Sequence, residues 1–488
     1  MILPKCLLLL AIIALFLAGC GVNKKPDLIV LHTGRILGNV YPTSLKGLAP
    51  LQYYPLLSGY IRSVRAEAEA SGAQVLLVDS GDSLHGSFAS EVTGCGNTVD
   101  FFNYLGYDAV VLGNLDALVS PEQVAGLKAK LLVPFELTDG TPAFPGAHFS
   151  GVFNKGHLKV GIIANFYGDL PWQESPTRFP SYYQNNPSLT VRPVRRLEQL
   201  ASELSHQKTD YRLLNWFKFE SPEEPPAFAH AAAKSGMDLV LAHRIYSSKL
   251  TDVWGTKEYQ AWPVPVSENI RRENRGYTVA RCDLRRDQQG HVQVLSSRLI
   301  ALSKDSAQPD PDITALMEKY SQAILSADAP VAQLSQNLGR DAIQSLYLRS
   351  LASRSSAGSV AVYSPESIRS GWMPGTLTRS ALFESLPWKT PTVEVRTDAA
   401  TFAKIISGST YTWYGSPPTG DKEVRIVTSA YFGKLMLLHH AIPQENLTIL
   451  DTKGEFELFA SWLSKQTSDL AELSTAIMGS TNFHPAKP

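Results

Sequence analysis

Cysteine is scarce in this 488-residue chain: four are present, with no CxxC pair and no Cys/His spacing suited to zinc. An excess of one charge is absent too. Lys plus Arg and Asp plus Glu number 45 each, so no overall field favours nucleic acid or an acidic surface. No G-x-S-x-G elbow, P-loop, internal repeat or low-complexity tract occurs, and the chemistry those patterns announce is not signalled. The apolar run Leu7 to Leu17 is too short to cross a bilayer comfortably. What the chain has is bulk. With 44% apolar residues it exceeds the roughly 250–300 residues at which a single core stops growing, so two domains are expected.

The N-terminus carries one positive charge, at Lys5, then the apolar run, then LAGC at residues 17 to 20. This resembles a bacterial lipoprotein signal: small residues at 18 and 19 let a signal peptidase close on the backbone, and the Cys20 thiol takes the lipid. An uncleaved anchor helix, or an ordinary signal with a coincidental Cys, is the alternative. Either way the remainder is exported. Residues 1–19 are expected to be removed and the chain held at the bacterial cell envelope, facing the periplasm or the cell surface. Gly21 stands where inner-membrane lipoproteins often carry Asp, which favours the outer membrane. Cys95 and Cys282 would remain as unmodified thiols, and an oxidising compartment would permit a bridge whose formation spacing does not decide.

Three segments share one grammar: DLIVLHTG (27 to 34), AQVLLVDSGDS (73 to 83) and DAVVLGNLD (108 to 116). Each is a short β-rich run ending in Gly, Asn, Asp or Ser. Between the first two, Leu57, Tyr60, Ile61 and Val64 fall at helical spacing before a stop at Gly72, so a βαβ unit is expected. In such sheets the working loops lie at the carboxyl ends of the strands. KVGIIAN (159 to 165) and MDLVLAH (237 to 243) read as further strands, of the same sheet or of one packed on it. Residues 166 to 200 read as a surface excursion, and 277 to 302 as a charged hairpin turning near Gly290. A helix bearing Ile313, Leu316, Met317, Tyr320 and Ile324 on one face then links to a second domain. There a helix is expected at NLGRDAIQSLYLRSLA and strands at SVAVYS, PTVEVRT and EVRIVTS.

These segments are similar to the 5'-nucleotidase family, whose first domain is a calcineurin-like metallophosphoesterase and whose second binds the nucleotide. LHTGRILG stands where the family has LHTNDxHG, VDSGDSLHGS resembles its GD motif, and LGYDAVVLGNLD resembles GYDAxxxGNHE. KGLAPL matches GGxARL, and IRSGWMPGTLTRSALFESLPW matches IRxxIPxGxITxxDVxxxLPF, so the likeness runs from 27 to about 435 in the family's order. It implies an α/β fold: a four-layer sandwich of helices around two packed β-sheets over residues 20–305, an interdomain helix at 306–330, and a smaller α/β domain at 331–488.

The resemblance also implies dinuclear metal chemistry, in which two cations roughly 3.5–4 Å apart share an attacking oxygen. Residue by residue, the ligands thin out. The first-motif Asp and His align with Arg35 and Leu37, and Arg35 would set a fixed positive charge beside a divalent cation. Asp82 keeps the bridging carboxylate and Asn114 the amide, but Leu115 replaces the catalytic His, leaving Asp116 no imidazole to orient. Asn215 and Trp216 stand at the strand that should end in His, and Arg244 and Tyr246 fall on the two His of GHxH, with His243 as a shifted survivor or a structural residue. Asp82, Asn114 and His243 are thus a vestigial metal set. Their bland reading is hydrogen bonding to loop backbones.

In the second domain YSPESIRSG matches the nucleotide-contacting NxGGIR, with Ser364, Glu366 and Ser367 replacing Asn and two glycines while Arg369 is retained. Arg369 either forks onto an anion or pairs with Glu366. Tyr411, Trp413 and Tyr414, on an expected Gly/Pro loop, are candidates to stack a base or to cap the core. The expected protein is a lipid-anchored, non-catalytic relative. It needs no cofactor and no nucleic acid, and binds a nucleoside- or nucleotide-like ligand or an envelope protein, with Arg369, Trp413 and Tyr414 as candidate contacts. The alternative is an active periplasmic phosphohydrolase whose atypical divalent-metal site gathers Asp82, Asn114, Asp116 and His243; the third reading is a structural envelope lipoprotein.

Overall fold

A computed structural model describes residues 25–42, 53–113, 116, 119–137, 139–165, 191–193, 196–216, 230–242, 266–268, 278–354, 359–407, 411–417 and 423–485. Cys20 and the signal, Asn114, Leu115 and the segment around His243 lie outside them. Among the described residues no helix is long and apolar enough to cross a membrane.

The first part of the chain supplies β1 (Leu28–Thr33), β2 (Gln74–Asp79), β3 (Ala109–Val111), β4 (Lys130–Leu132) and β5 (Phe135–Leu137). β6 (Ser150–Lys155), β7 (Leu158–Asn165), β8 (Val191–Pro193), β9 (Tyr211–Trp216), β10 (Leu239–Ala242) and β11 (Val266–Glu268) follow, and the hairpin of β12 (Thr278–Arg286) and β13 (Val292–Ala301) closes it. Eleven of them form a six-stranded sheet, β13-β12-β1-β2-β3-β4, and a five-stranded sheet, β11-β10-β9-β7-β6, parallel at their centres, while β5 and β8 pair antiparallel on their own. Strand side chains alternate faces, and here both faces are apolar because both are covered. Leu28, Val30, Leu76, Val78, Ala109 and Val111 meet Val160, Ile162, Tyr211, Leu213, Leu239 and Leu241 between the sheets. Their alternates Ile29, Leu31, Leu77 and Val110 pack outward on helices Tyr53–Ser71 and Gly96–Leu105. On the other side Ile163, Leu214 and Val240 pack outward on helix Leu197–His206. Each fully buried Leu, Ile or Val contributes about 1.5–3 kcal/mol, so a one-residue slip of register would forfeit several such terms at once. Four layers result.

Two expectations need correction. The stretch 166 to 200 is not all excursion: a helix begins at Leu197, and Leu200, Ala201 and Leu204 are buried on the second sheet. The single interdomain helix is two, Pro311–Glu318 and Ser321–Ala327. The break lets the Tyr320 hydroxyl donate to Asp100 Oδ2 at 2.5 Å. It also divides the apolar face, since Ile313 and Met317 join the outer core of the first sheet while Ile324 joins that of the C-terminal part. Cys95 lies in that outer layer and Cys282 between the sheets, so the two buried thiols are not bridged to each other, and Cys282 Sγ donates to Ser297 Oγ at 3.3 Å.

The C-terminal part begins with β14 (Pro330–Leu334), followed by β15 (Ser359–Tyr363), β16 (Gly375–Thr378), β17 (Thr392–Thr397), β18 (Thr412–Tyr414), β19 (Val424–Ser429), β20 (Leu447–Asp451) and β21 (Phe483–His484). Six of these form one sheet in the order β20-β17-β19-β15-β18-β21. Helix Arg340–Ala352 falls where its sequence predicts, and so do β15, β17 and β19. Buried Glu455 anchors the core by accepting from Tyr347 Oη (2.9 Å), Tyr363 Oη (2.7 Å) and Thr390 Oγ1 (2.6 Å). Tyr41, Phe88 and Ala89 of the first part pack into this same C-terminal core.

Candidate functional site

Strands β1, β2, β3 and β9 deliver their carboxyl ends to one edge, where the loops of the candidate site meet. After β1 the chain folds flat against the loop that follows β2. Arg35 N donates to Gly81 O (2.8 Å), Ile36 N to Ser83 Oγ (3.1 Å), Leu37 N to Asp82 O (3.0 Å) and Gly38 N to Ser83 O (2.8 Å). Arg35, Leu37 and Asp82 all sit at positive φ, near 53°, 57° and 55°, a conformation non-glycine residues hold only when their surroundings fix it. Ile36, between Arg35 and Leu37, is buried in the outer core. The guanidinium of Arg35 is half-buried and carries no ion pair among the described residues.

Three carboxylates crowd beneath this loop pair, each fully buried: Asp79, Asp82 and Asp116. Asp79 accepts from Thr33 Oγ1 (2.8 Å), Ser83 Oγ (2.9 Å) and Gly81 N (3.0 Å). Burial pushes its carboxyl up to about 7 against the pull of those donors, and the charge of Asp82 pushes the same way. Asp116 accepts from Leu84 N at 2.8 Å through Oδ1 and from Gly113 N at 2.9 Å through Oδ2. It too is raised to about 7, by burial first and by Asp82 second. Where the family resemblance assigns an acid that orients a catalytic imidazole, this carboxylate staples two loop backbones.

The other candidate positions are structural or incomplete. Asn215, at the end of β9, is fully buried; its Nδ2 lies 3.5 Å from Ser80 O, and its Oδ1 has no hydrogen-bond partner among the described residues. Trp216 packs in the layer between the second sheet and helix Leu197–His206. His32 and Ser80 are 3.4 Å apart, both fully buried. Among the described residues no three His, Cys, Asp or Glu side chains are grouped so as to hold a metal ion. A dinuclear centre requires several free oxygen or nitrogen donors per cation, and here two of the three carboxylates are spent on backbone and hydroxyl groups. The described donors do not fit such a centre.

Arg369 reaches across to the first part, donating to Gly86 O at 3.1 Å while its guanidinium lies 4.8 Å over the Trp388 ring. Beside it, half-buried Glu384 accepts from Tyr41 Oη (3.1 Å) and Phe88 N (3.3 Å). Trp413 and Tyr414 are not on a loop: both lie in β18, paired to β15 and β21, and as neighbours in a strand they face opposite sides. Trp413 stacks on His484 at 3.5 Å, and Tyr414 Oη accepts from Arg349 at 3.0 Å. The structure thus does not bring Arg369, Trp413 and Tyr414 to one space. The motif VDSGDS draws the eye to Asp82; the centrality of Asp79, three residues earlier and equally buried, is visible only in the fold.

No protein-family model and no curated protein matches the chain. Solved structures do. A Staphylococcus aureus protein assigned to the 5'-nucleotidases superposes with TM-score 0.67 at 15% identity, covering 90% of this chain and 97% of that one. A 5'-nucleotidase from Candida albicans gives 0.63 at 14%, covering 91% and 98%, and a 5'-nucleotidase precursor from Thermus thermophilus gives 0.62 at 14%, covering 90% and 96%. The chain has the 5'-nucleotidase fold. At such identities the likeness concerns architecture, and on this architecture the chemistry is decided by the side chains just described.

Proposed function

We propose that this chain is an exported, lipid-anchored protein that uses a 5'-nucleotidase fold for binding and not for metal-dependent hydrolysis. The observation that carries the reading is Asp116: both its oxygens accept backbone N–H groups, so its carboxylate closes loops instead of serving a catalytic imidazole. Arg35 supports it, as a fixed positive charge at the rim without an ion pair among the described residues. A site so charged repels cations and favours an anionic small ligand, nucleotide-like or otherwise, or a carboxylate-bearing envelope partner. The units of this reading are a signal at 1–19 ending before Cys20, a binding domain at 20–305, a linker at 306–330 and a second domain at 331–488.

Metal content and phosphate release test the proposal directly. Purified protein incubated with Mn, Mg or Zn and then desalted is expected to retain far less than one ion per chain. It should release no phosphate from nucleoside monophosphates above the blank. Stoichiometric metal together with turnover that disappears in Asp82→Ala would instead establish the phosphohydrolase reading, with Asn114 and His243 as partners of Asp82.

A further inference from the structure

The C-terminal sheet has a second feature with no part in the rim chemistry. The carboxyl ends of β15 and β19 lead into Ser364 and Ser429, whereas the start of β19 and the end of the antiparallel β17 lie at the opposite end of the sheet. There a cavity of about 370 Å³ is lined by Arg396, Asp398, Glu423, His440 and Asn446, among others. That volume falls in the range of small-molecule sites, roughly 300–1,000 Å³.

Its charges are unevenly committed. Asp398 accepts from both Thr401 N and Thr401 Oγ1 at 2.8 Å, which fixes it at the start of helix Ala399–Ser407. Glu423 is engaged by Arg425 Nε at 3.4 Å. The donors are less occupied. Arg396 gives one long bond, 3.5 Å, to Glu445 O, and has no carboxylate partner among the described residues. His440 has no side-chain hydrogen bond among them, and His439 and Lys404 stand close enough to disfavour its protonation, after burial. Asn446 Nδ2 holds Arg396 O at 3.0 Å, fixing the strand end from which the guanidinium projects. Ala441, which follows His440, sits at φ 50°, a left-handed turn that a residue with a side chain adopts at a cost. A planar fork of donors with vacant valences beside a partnerless imidazole matches an oxyanion.

We propose that this cavity binds the carboxylate or phosphate group of a small anionic molecule, with Arg396 and His440 as the recognising pair. It is separate from the rim of Arg35. Inorganic phosphate and acetate serve as minimal probes, titrated calorimetrically into the full exported chain at low ionic strength. Phosphate heat, acetate heat or both would assign the oxyanion class. Arg396→Gln and His440→Gln should each weaken that binding by about tenfold or more, the loss expected for a hydrogen bond to a charged group. Lys465→Gln, which removes an exposed charge outside the cavity, should leave it within twofold of the parent, which separates this site from a general charge effect. Circular dichroism confirms folding, which the substitution of half-exposed Arg396 should not disturb. No heat with either anion, or affinity in Arg396→Gln within twofold of the parent, would overturn the proposal.

Discussion

Replacing Asp79 with Asn should flatten the pH dependence of stability. The Asp79 carboxyl is held at about 7 by burial, although Thr33, Gly81 and Ser83 donate to it, while an unfolded Asp titrates at its ordinary 3.8. Between those values the folded state binds the extra proton. The contribution is therefore complete below about pH 4 and lost as pH rises to about 7. From pH 5 to pH 8 the loss is about 3 kcal/mol for one such carboxyl, and Asp116, raised to the same value, adds a comparable amount. Asn at position 79 removes one titration without orphaning its neighbours: its oxygen still accepts, and the Thr33 and Ser83 hydroxyls can turn to receive its amide. Thermal unfolding of parent and Asp79→Asn at both pH values gives a double difference in which titrating groups that do not sense Asp79 cancel, while Asp116, raised mainly by burial and Asp82 and only lastly by Asp79, changes little. The parent should lose more stability between pH 5 and 8 by about 3 kcal/mol, a difference of about 6 °C at roughly 2 °C per kcal/mol. The same decline in both proteins would refute a buried, proton-holding Asp79.

Glu384→Ala should cost about 2–5 kcal/mol, since it leaves Tyr41 Oη and Phe88 N buried without their acceptor. Glu384→Gln, which keeps the oxygen both donors use, should cost under about 1 kcal/mol; equal melting temperatures for the two variants would contradict this. Gly38→Ala should destabilise by more than about 3 kcal/mol, because φ is +67° and the new Cβ would stand 2.3 Å from Ser90 Cβ. A variant melting within 2 °C of the parent would show that the loop pair yields easily.

The central strands were legible because they are short, apolar on both faces and punctuated by Gly, Asn and Asp, a pattern that suits a doubly covered parallel sheet, and the two-sheet layering was implied by the family resemblance. That Arg35 and Leu37 stand where the family has Asp and His was equally legible, since it rests on residue identity alone. The two-helix linker was not, since Ile313 and Ile324 share one helical face on paper and belong to different cores in space. Nor was the strand at Thr412–Tyr414, where Gly and Pro nearby suggest a loop and pairing with β15 and β21 overrides them.

By itself, then, the sequence determined the opening βαβ unit, the further strands at 159–165 and 237–243 and which residues stand at the family's ligand positions, because periodicity and residue identity are local properties, while the four-layer sandwich was implied by the family resemblance. Tertiary structure alone decided what the surviving acids do. Whether a carboxylate holds a cation, a proton or a pair of backbone amides depends on which groups the fold places within 3 Å of it and on how far water is excluded. For Asp79 and Asp116 one such neighbour each, Thr33 and Leu84, comes from a segment 30 to 50 residues away in the chain.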